Sequence, residues 1–242
     1  MNVEEFIQKH ENTSIAALSL ILSKKENIPK DFIINQINGR RKAKTKFPSL
    51  SKLSTYIFPS PRAIEQASSE QAATYKSELV GGKKMADLSG GMGLDSYFFA
   101  KQFESVDYIE QDSELCETSR QNFKALAANN IHCFNQNAVD FLKLNKKEYD
   151  LNYIDPDRRA AKHKAFLIDD CEPNIKELLP LIRKCTNYCL IKLSPMLDIK
   201  QALTELKFCK KVHIVSIKND CKELLFELEK DFMGTPLINC IT

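Results

Sequence analysis

Tryptophan is absent from this 242-residue chain, and glycine is scarce, at seven residues. No CxxC pair occurs among the eight cysteines, and the four histidines stand apart from any cysteine pair. A structural zinc site, or any resident metal, is therefore not expected. No apolar run approaches the roughly 18 residues of a membrane span. The longest candidate, 15–22, is interrupted by Ser19 and followed by Lys24 and Lys25. The chain opens on Glu4 and Glu5, whereas a secretory signal needs a basic start and an apolar core. No low-complexity tract or internal repeat is visible. These absences exclude membrane-spanning and repeat architectures, and for the eight cysteines reduced thiols are the better reading. With 43% hydrophobic and 28% charged residues, a globular chain is predicted, with reduced thiols, no membrane partner and a cytoplasmic setting.

Acid is missing from one stretch. Between Asp31 and Glu65 there is none, but there are seven bases: Arg40, Arg41, Lys42, Lys44, Lys46, Lys52 and Arg62. The net charge of +3 hides this asymmetry: residues 1–79 carry 12 bases against 8 acids, and the remainder 23 against 24. Such a cluster suits a polyanion, because each neutralised phosphate releases condensed counterions. Phe47, Tyr56 and Phe58 are interleaved with it and can stack on bases. A solvated helix end with its loop is the competing reading.

What is present is ordered in two parts. Up to residue 46, apolar residues recur at helical spacing, with Asn12, Thr13 and Ser14 offering an N-cap and Pro29 opening a third helix. Pro48, Pro59 and Pro61 mark an irregular connection. A helix is predicted over 63–79, closed by Gly81-Gly82 as a C-cap. Strand-like segments follow at 84–88, 106–110, 131–135, 149–154, 188–193 and 212–217, the first five separated by helical stretches. Near-continuous apolar runs in these strands indicate a sheet covered on both faces. The prediction is an α/β fold, a mostly parallel Rossmann-like sheet of seven strands. The last strand, at ELLFEL, follows too closely for a crossover and is expected to be antiparallel. One helical turn is the alternative there. The division expected is a basic helical segment, 1–60, and a main domain, 61–242.

Three of the seven glycines, Gly90, Gly91 and Gly93, sit where the first strand runs into a helix. In open parallel sheets, ligands bind at the carboxyl ends of strands near the point where strand order reverses. Glycines there admit a ligand to the backbone N–H groups at a helix start. A dinucleotide fingerprint would need a third glycine where Ser96 stands. Asp87 and Asp95 flank the loop and would repel a pyrophosphate but accept from an ammonium group. S-adenosylmethionine (SAM) has an α-amino group, a sulfonium and no phosphate, so these acids suit it. Glu110 closes the next strand, 17 positions after Gly93, where a carboxylate can accept both ribose hydroxyls.

The segment Asp87-Leu-Ser-Gly-Gly-Met-Gly93 resembles motif I of class I SAM-dependent methyltransferases, with Ser89 in place of the first motif glycine. SSEQAATYK (68–76), YIDPDRR (153–159), KLSPMLD (192–198) and NDCKELL (219–225) extend the likeness over roughly residues 30–230. Together they resemble a bacterial group of RNA methyltransferases with a helical N-terminal segment and a THUMP-like C-terminal domain. The chain stops at Thr242, where that domain would begin. The resemblance implies SAM as cofactor and RNA as partner. Asp87, Ser89, Gly90, Gly91, Gly93 and Asp95 would line its methionine part and Glu110 its ribose. Asn137 and Ala138 would meet the adenine amino group, Asn137 being equally readable as a turn residue. The resemblance further suggests that Ser68, Ser69, Glu70 and Lys76, with Gln66 and Thr74, approach the methionine or the substrate.

Asp155-Pro156-Asp157-Arg158 stands where enzymes that methylate exocyclic nitrogens often carry (D/N)PP(Y/F). Asp155 would accept from the target amine and Pro156 would fix the loop. Asp157 and Arg158 replace the second proline and the aromatic. That leaves only a lean towards a base nitrogen. Arg158 and Arg159 are read either as a bidentate phosphate clamp or as surface salt bridges. Arg40, Arg41, Lys42 and Lys44 complete the expected RNA-binding set. Cytosine carbon-5 chemistry needs a cysteine nucleophile after the proline, and Asp157 occupies that place. Lys192, Ser194 and Asp198 end the fifth strand, where a flipped base can enter, or simply cap the loop. The rival functions are a methyltransferase for a small molecule or protein, and a non-catalytic RNA-binding module.

Overall fold

The computed structural model describes residues 2–158, 168 and 171–242. Three helices come first: α1 (Val3–His10), α2 (Ile15–Ser23) and α3 (Lys30–Lys46). Ser14 caps α2 by accepting from the Ala17 N–H, as its residue type foretold. Phe6, Ile7, Leu18, Leu22, Ile33 and Ile37 form a small core between the three.

A short 3-10 turn (Leu50–Lys52) leads to α4 (Pro61–Gln66) and α5 (Glu70–Glu78). The single helix predicted over 63–79 is thus broken. Ala67 and Ser69 are extended, and the Ser69 hydroxyl starts α5 by accepting from the Ala72 N–H. Nor does Gly81-Gly82 cap a helix: Leu79 ends α5 in an ordinary right-handed conformation, and Gly82 already belongs to β1 (Gly82–Asp87).

The chain then alternates through α6 (Leu94–Phe99), β2 (Phe103–Glu110), α7 (Ser113–Ala125), β3 (Ile131–Asn135), α8 (Ala138–Leu144) and β4 (Leu151–Ile154). The two-residue strands β5 (Asp157–Arg158) and β6 (Cys171–Glu172) form a separate antiparallel ribbon. After them come α9 (Ile175–Ile182), β7 (Tyr188–Leu193), α10 (Ile199–Glu205), β8 (Cys209–Ile217), β9 (Asp220–Glu229) and β10 (Leu237–Ile241).

The main sheet runs β10-β8-β9-β7-β4-β1-β2-β3. Its members are parallel except β9, which is antiparallel to both β7 and β8. ELLFEL is therefore a strand of the orientation expected. The count is eight rather than seven, because β10 adds a parallel edge beside β8. Strand order reverses between β1 and β4, so the crevice lies at their carboxyl ends.

Register sorts the side chains. Asp87 lies opposite Tyr108 and Tyr153, and Tyr153 opposite Leu190, so these share one face. That face packs Met85, Tyr108, Tyr153, Leu190 and Leu225 under Phe99, Cys116 and Phe123 of α6 and α7. The other face packs Ala86, Ile154, Ile191 and Phe226 under α8, α9 and α10. A third cluster joins Ala43 and Phe47 of α3 and its tail to Met92, Leu94 and Phe98, so the basic segment is anchored on α6. Among the described residues, no helix is long and apolar enough to cross a membrane, and all eight cysteines are unpaired.

Candidate active site

The loop after β1 owes its shape to glycine. Gly91 (φ 55°) and Gly93 (φ 79°) are left-handed, a region that side-chain-bearing residues rarely adopt. A Cβ on Gly93 would also lie 2.5 Å from Phe123 Cζ. The Tyr108 hydroxyl donates to the Gly91 carbonyl (2.6 Å), and the Gly91 N–H donates to Glu110 Oε2 (2.8 Å). The other Glu110 oxygen accepts from the Asp112 N–H (2.8 Å). Burial pushes the Glu110 carboxyl up, against those backbone bonds.

Asp87 is 1% exposed. Its oxygens accept from the Ser96 hydroxyl (2.6 Å) and the Ser89 N–H (3.1 Å), all neutral donors. Burial, with Asp95 and Asp155 nearby, pushes its carboxyl up to about 7, although the bonds from Ser96 and Ser89 oppose the rise. A buried carboxylate lacking a cationic partner is costly, and a bound ammonium or sulfonium would relieve it.

A buried ionic cluster lies alongside. The Lys76 ammonium, fully buried, donates to Ser68 Oγ (2.5 Å), Asp95 Oδ2 (2.9 Å) and Glu223 Oε2 (3.4 Å). The Tyr153 hydroxyl also donates to Asp95 Oδ2 (2.7 Å). Burial raises the Asp95 carboxyl, but Lys76, Lys192 and the hydrogen bonds outweigh it and leave it below the usual range. Burial holds Glu223 above its usual range despite Lys76 and Lys192. Among the described residues, Asp95 Oδ1 and Glu223 Oε1 are buried with no hydrogen-bond partner, although Lys76 lies 3.4 Å from Glu223 Oε1.

The acceptor side is built from β4 and β7. The Asp155 N–H donates to Ser89 Oγ (2.6 Å), which ties the loop after β4 to the glycine loop. The Asp155 carboxylate accepts from the Lys192 ammonium through Oδ2. Pro156 is buried. Asp157 is exposed and faces Arg62 at 3.7 Å. Burial, then Asp155, raises its carboxyl against Arg62 and Gln66.

No family model matches this chain, and no curated protein does. Among solved structures, a protein of Porphyromonas gingivalis W83 assigned as a methyltransferase superposes on 96% of this chain with TM-score 0.83 and 27% identity. The fold is that of the class I methyltransferases. This chain spans 58% of that relative's length, less than two thirds. More distant are an rRNA methylase of Streptococcus thermophilus (TM-score 0.49, 14% identity, 66% of this chain and 94% of that one). A protein of Streptococcus mutans, assigned as a methyltransferase and solved with SAH, gives TM-score 0.48 and 13% identity over 66% of this chain and 96% of that one.

Asp87, Ser89, the three glycines, Asp95, Glu110 and Asp155 lie together around the carboxyl ends of β1, β2 and β4. Asn137 Oδ1 accepts from the Val139 N–H (2.8 Å) and caps α8, which leaves its second lone pair open. Ala138 is a buried residue of that helix. The expectations for the basic segment need correction. Arg40 is buried, paired with Glu4 (2.7 Å) and bonded to the Ser54 carbonyl. Arg41 donates to the Glu11 and Thr13 carbonyls. Both guanidiniums thus knit the helical segment together instead of facing a polyanion. Lys42 and Lys44 are exposed, paired with Glu65 (2.5 Å) and Glu11 (2.7 Å). Phe47, Tyr56 and Phe58 are at most 2% exposed and belong to the core, not to a stacking platform. The Arg158 backbone lies in β5, while Arg159 falls outside the described residues.

Sequence reasoning missed Glu223 and Tyr153 as parts of the ionic cluster. Glu223 sits 147 positions from Lys76, so no local pattern links them. Burial pulls the Lys46 ammonium down to about 8, helped by Lys192, Lys42 and Lys222 and opposed by Glu65. The ammonium donates to the Ile64 and Glu65 carbonyls (2.9 and 2.8 Å), so Lys46, like Arg41, ties the basic segment to its neighbours. Among the described residues, no group of three metal-ligating side chains is placed to hold an ion.

Proposed function

We propose that this chain is a SAM-dependent methyltransferase acting on RNA, with a base nitrogen as acceptor. The observation that carries the reading is the hydrogen bond from the Asp155 N–H to Ser89 Oγ (2.6 Å). It couples a glycine loop suited to SAM to an acid suited to an amine. Asp87, buried without a cation, and the unpartnered Asp95 Oδ1 fit a cationic amino-acid moiety. Glu110, at the end of β2, retains lone pairs for a ribose, since each of its oxygens takes one backbone N–H.

When bound, SAM would supply a methyl group on a sulfonium that leaves as a neutral thioether. The protein's part is positioning, because in-line transfer gains most from fixed geometry. The glycine loop and Glu110 hold the donor side. Asp155 accepts from the acceptor amine, and buried Pro156 limits the freedom of that loop. RNA is favoured by the exposed bases of α3, Lys42 and Lys44. We assign residues 1–60 to a basic guiding segment and 61–242 to the methyltransferase domain. Supplying labelled SAM and total RNA from a strain lacking the gene, then analysing nucleosides by mass spectrometry, tests this. Label in one methylated base supports it. Label in protein or small molecules only would sink it.

A further inference from the structure

Lys192 is a half-buried ammonium without a part in the chemistry above. Strands β4 and β7 are parallel, with Ile154 opposite Ile191. The next pair, Asp155 and Lys192, therefore emerges side by side at the carboxyl ends, on the face that carries Asp87 and Tyr153. The Lys192 side chain is 13% exposed and that of Asp155 25%. Lys192 takes Oδ2, and among the described residues no hydrogen bond reaches Oδ1. The charged groups around Lys192 are Asp155, Glu223 and Asp95, with Lys46 as the nearby cation. Burial lowers the Lys192 ammonium's pKa, but the three carboxylates outweigh burial and hold it above the usual lysine value. It therefore stays charged near neutrality and cannot act as a base. What it can do is fix an anion.

We propose that Lys192 is a positioning residue for methyl transfer, clamping the Asp155 carboxylate by Oδ2 and leaving Oδ1 for the acceptor amine. The inference rests on the methyltransferase reading. Side-chain entropy supports the clamp: an unheld carboxylate would have to be ordered during each turnover, whereas here the fold orders it beforehand. The same pair explains why a lysine is tolerated in a half-buried place. Glu223 alone does not settle the role, since it also contacts Lys76 at 3.4 Å.

The test is a double-mutant cycle on the full chain, with labelled SAM and total RNA from a strain lacking the gene, and calorimetry for SAM. Lys192→Met is expected to lower kcat on the order of tenfold or more while SAM affinity stays within about twofold. Lys192→Arg should recover part of the loss. In an Asp155→Asn background, Lys192→Met should change kcat little. An equal loss in both backgrounds would show a purely structural role and overturn the proposal, as would wild-type kcat in Lys192→Met. If Lys192→Met does not fold, NMR of the Lys192 ammonium decides: its titration midpoint should fall in Asp155→Asn, and an unmoved midpoint overturns the proposal. A wild-type chain that binds no SAM would remove the methyltransferase reading itself, a separate outcome.

Discussion

Replacing Asp87 by Asn should stabilise the free protein and weaken SAM binding. Asp87 is 1% exposed, and its carboxyl is pushed up to about 7 from 3.8. Below pH 3.8 the group is protonated in both folded and unfolded chains and contributes nothing to pH dependence. Between 3.8 and about 7 the unfolded chain ionises while the folded one holds its proton, so rising pH favours unfolding. Above about 7 both states are ionised and the penalty is constant. At about 1.4 kcal/mol per pH unit, the penalty has a ceiling of about 4 kcal/mol. An Asn amide is neutral throughout. It can still accept from the Ser89 N–H and donate to Ser96, so most of the local bonding survives. The stability gap between Asp87→Asn and wild type should therefore widen from pH 4 to 7 and then level off, which urea unfolding at a series of pH values measures. The other raised carboxyls, Glu110, Asp157 and Glu223, are common to both proteins and cancel in the difference. The melting temperature at pH 8 should rise by about 2–4 °C for each kcal/mol gained. A gap that is flat with pH, or that narrows as pH rises, would refute the reasoning.

Gly93→Ala should cost about 2–4 kcal/mol in urea unfolding, combining left-handed strain at φ 79° with a Cβ 2.5 Å from Phe123; a loss under 1 kcal/mol would contradict the geometry. Phe47→Ala should destabilise by about 3–5 kcal/mol, since the ring is 0% exposed. A base-stacking residue would instead lower RNA affinity with stability intact. Lys42→Glu with Lys44→Glu, both exposed, should lower RNA affinity in filter binding and flatten its salt dependence; unchanged affinity would count against RNA as the partner.

The parallel sheet was legible because each strand is a short apolar run punctuated by a helix; for ELLFEL the short connection excluded a crossover and left either an antiparallel strand or a helical turn, and the strand is what forms. Strand β10 was not foreseen: Leu237 and Ile238 are more than half exposed and carry no two-faced burial pattern. Asp87, the glycine loop and Glu110 were readable as neighbours, since they fall at the ends of two consecutive, adjacent strands. The Lys76–Asp95–Glu223 cluster was not, because its members come from a helix before β1, a helix after it and a strand far along the chain. The basic stretch misled in part. Charge density cannot distinguish Lys42, exposed at the helix surface, from Arg40, which is spent on Glu4 inside the helical segment. Likewise, aromatic residues between lysines gave no hint that Phe47 and Phe58 face Leu94 and Phe98 in a shared core.

The corner formed by Asp87, the glycine loop and Glu110 is proposed to bind SAM, and titration calorimetry of the wild-type chain against SAM, repeated with the Asp87→Ala, Glu110→Ala double variant, tests this. One site per chain is expected in the wild type, with affinity rising with pH through about 7 as Asp87 ionises, and at least a hundredfold loss in the double variant. No heat from the wild type, or undiminished binding by a folded double variant, would contradict it.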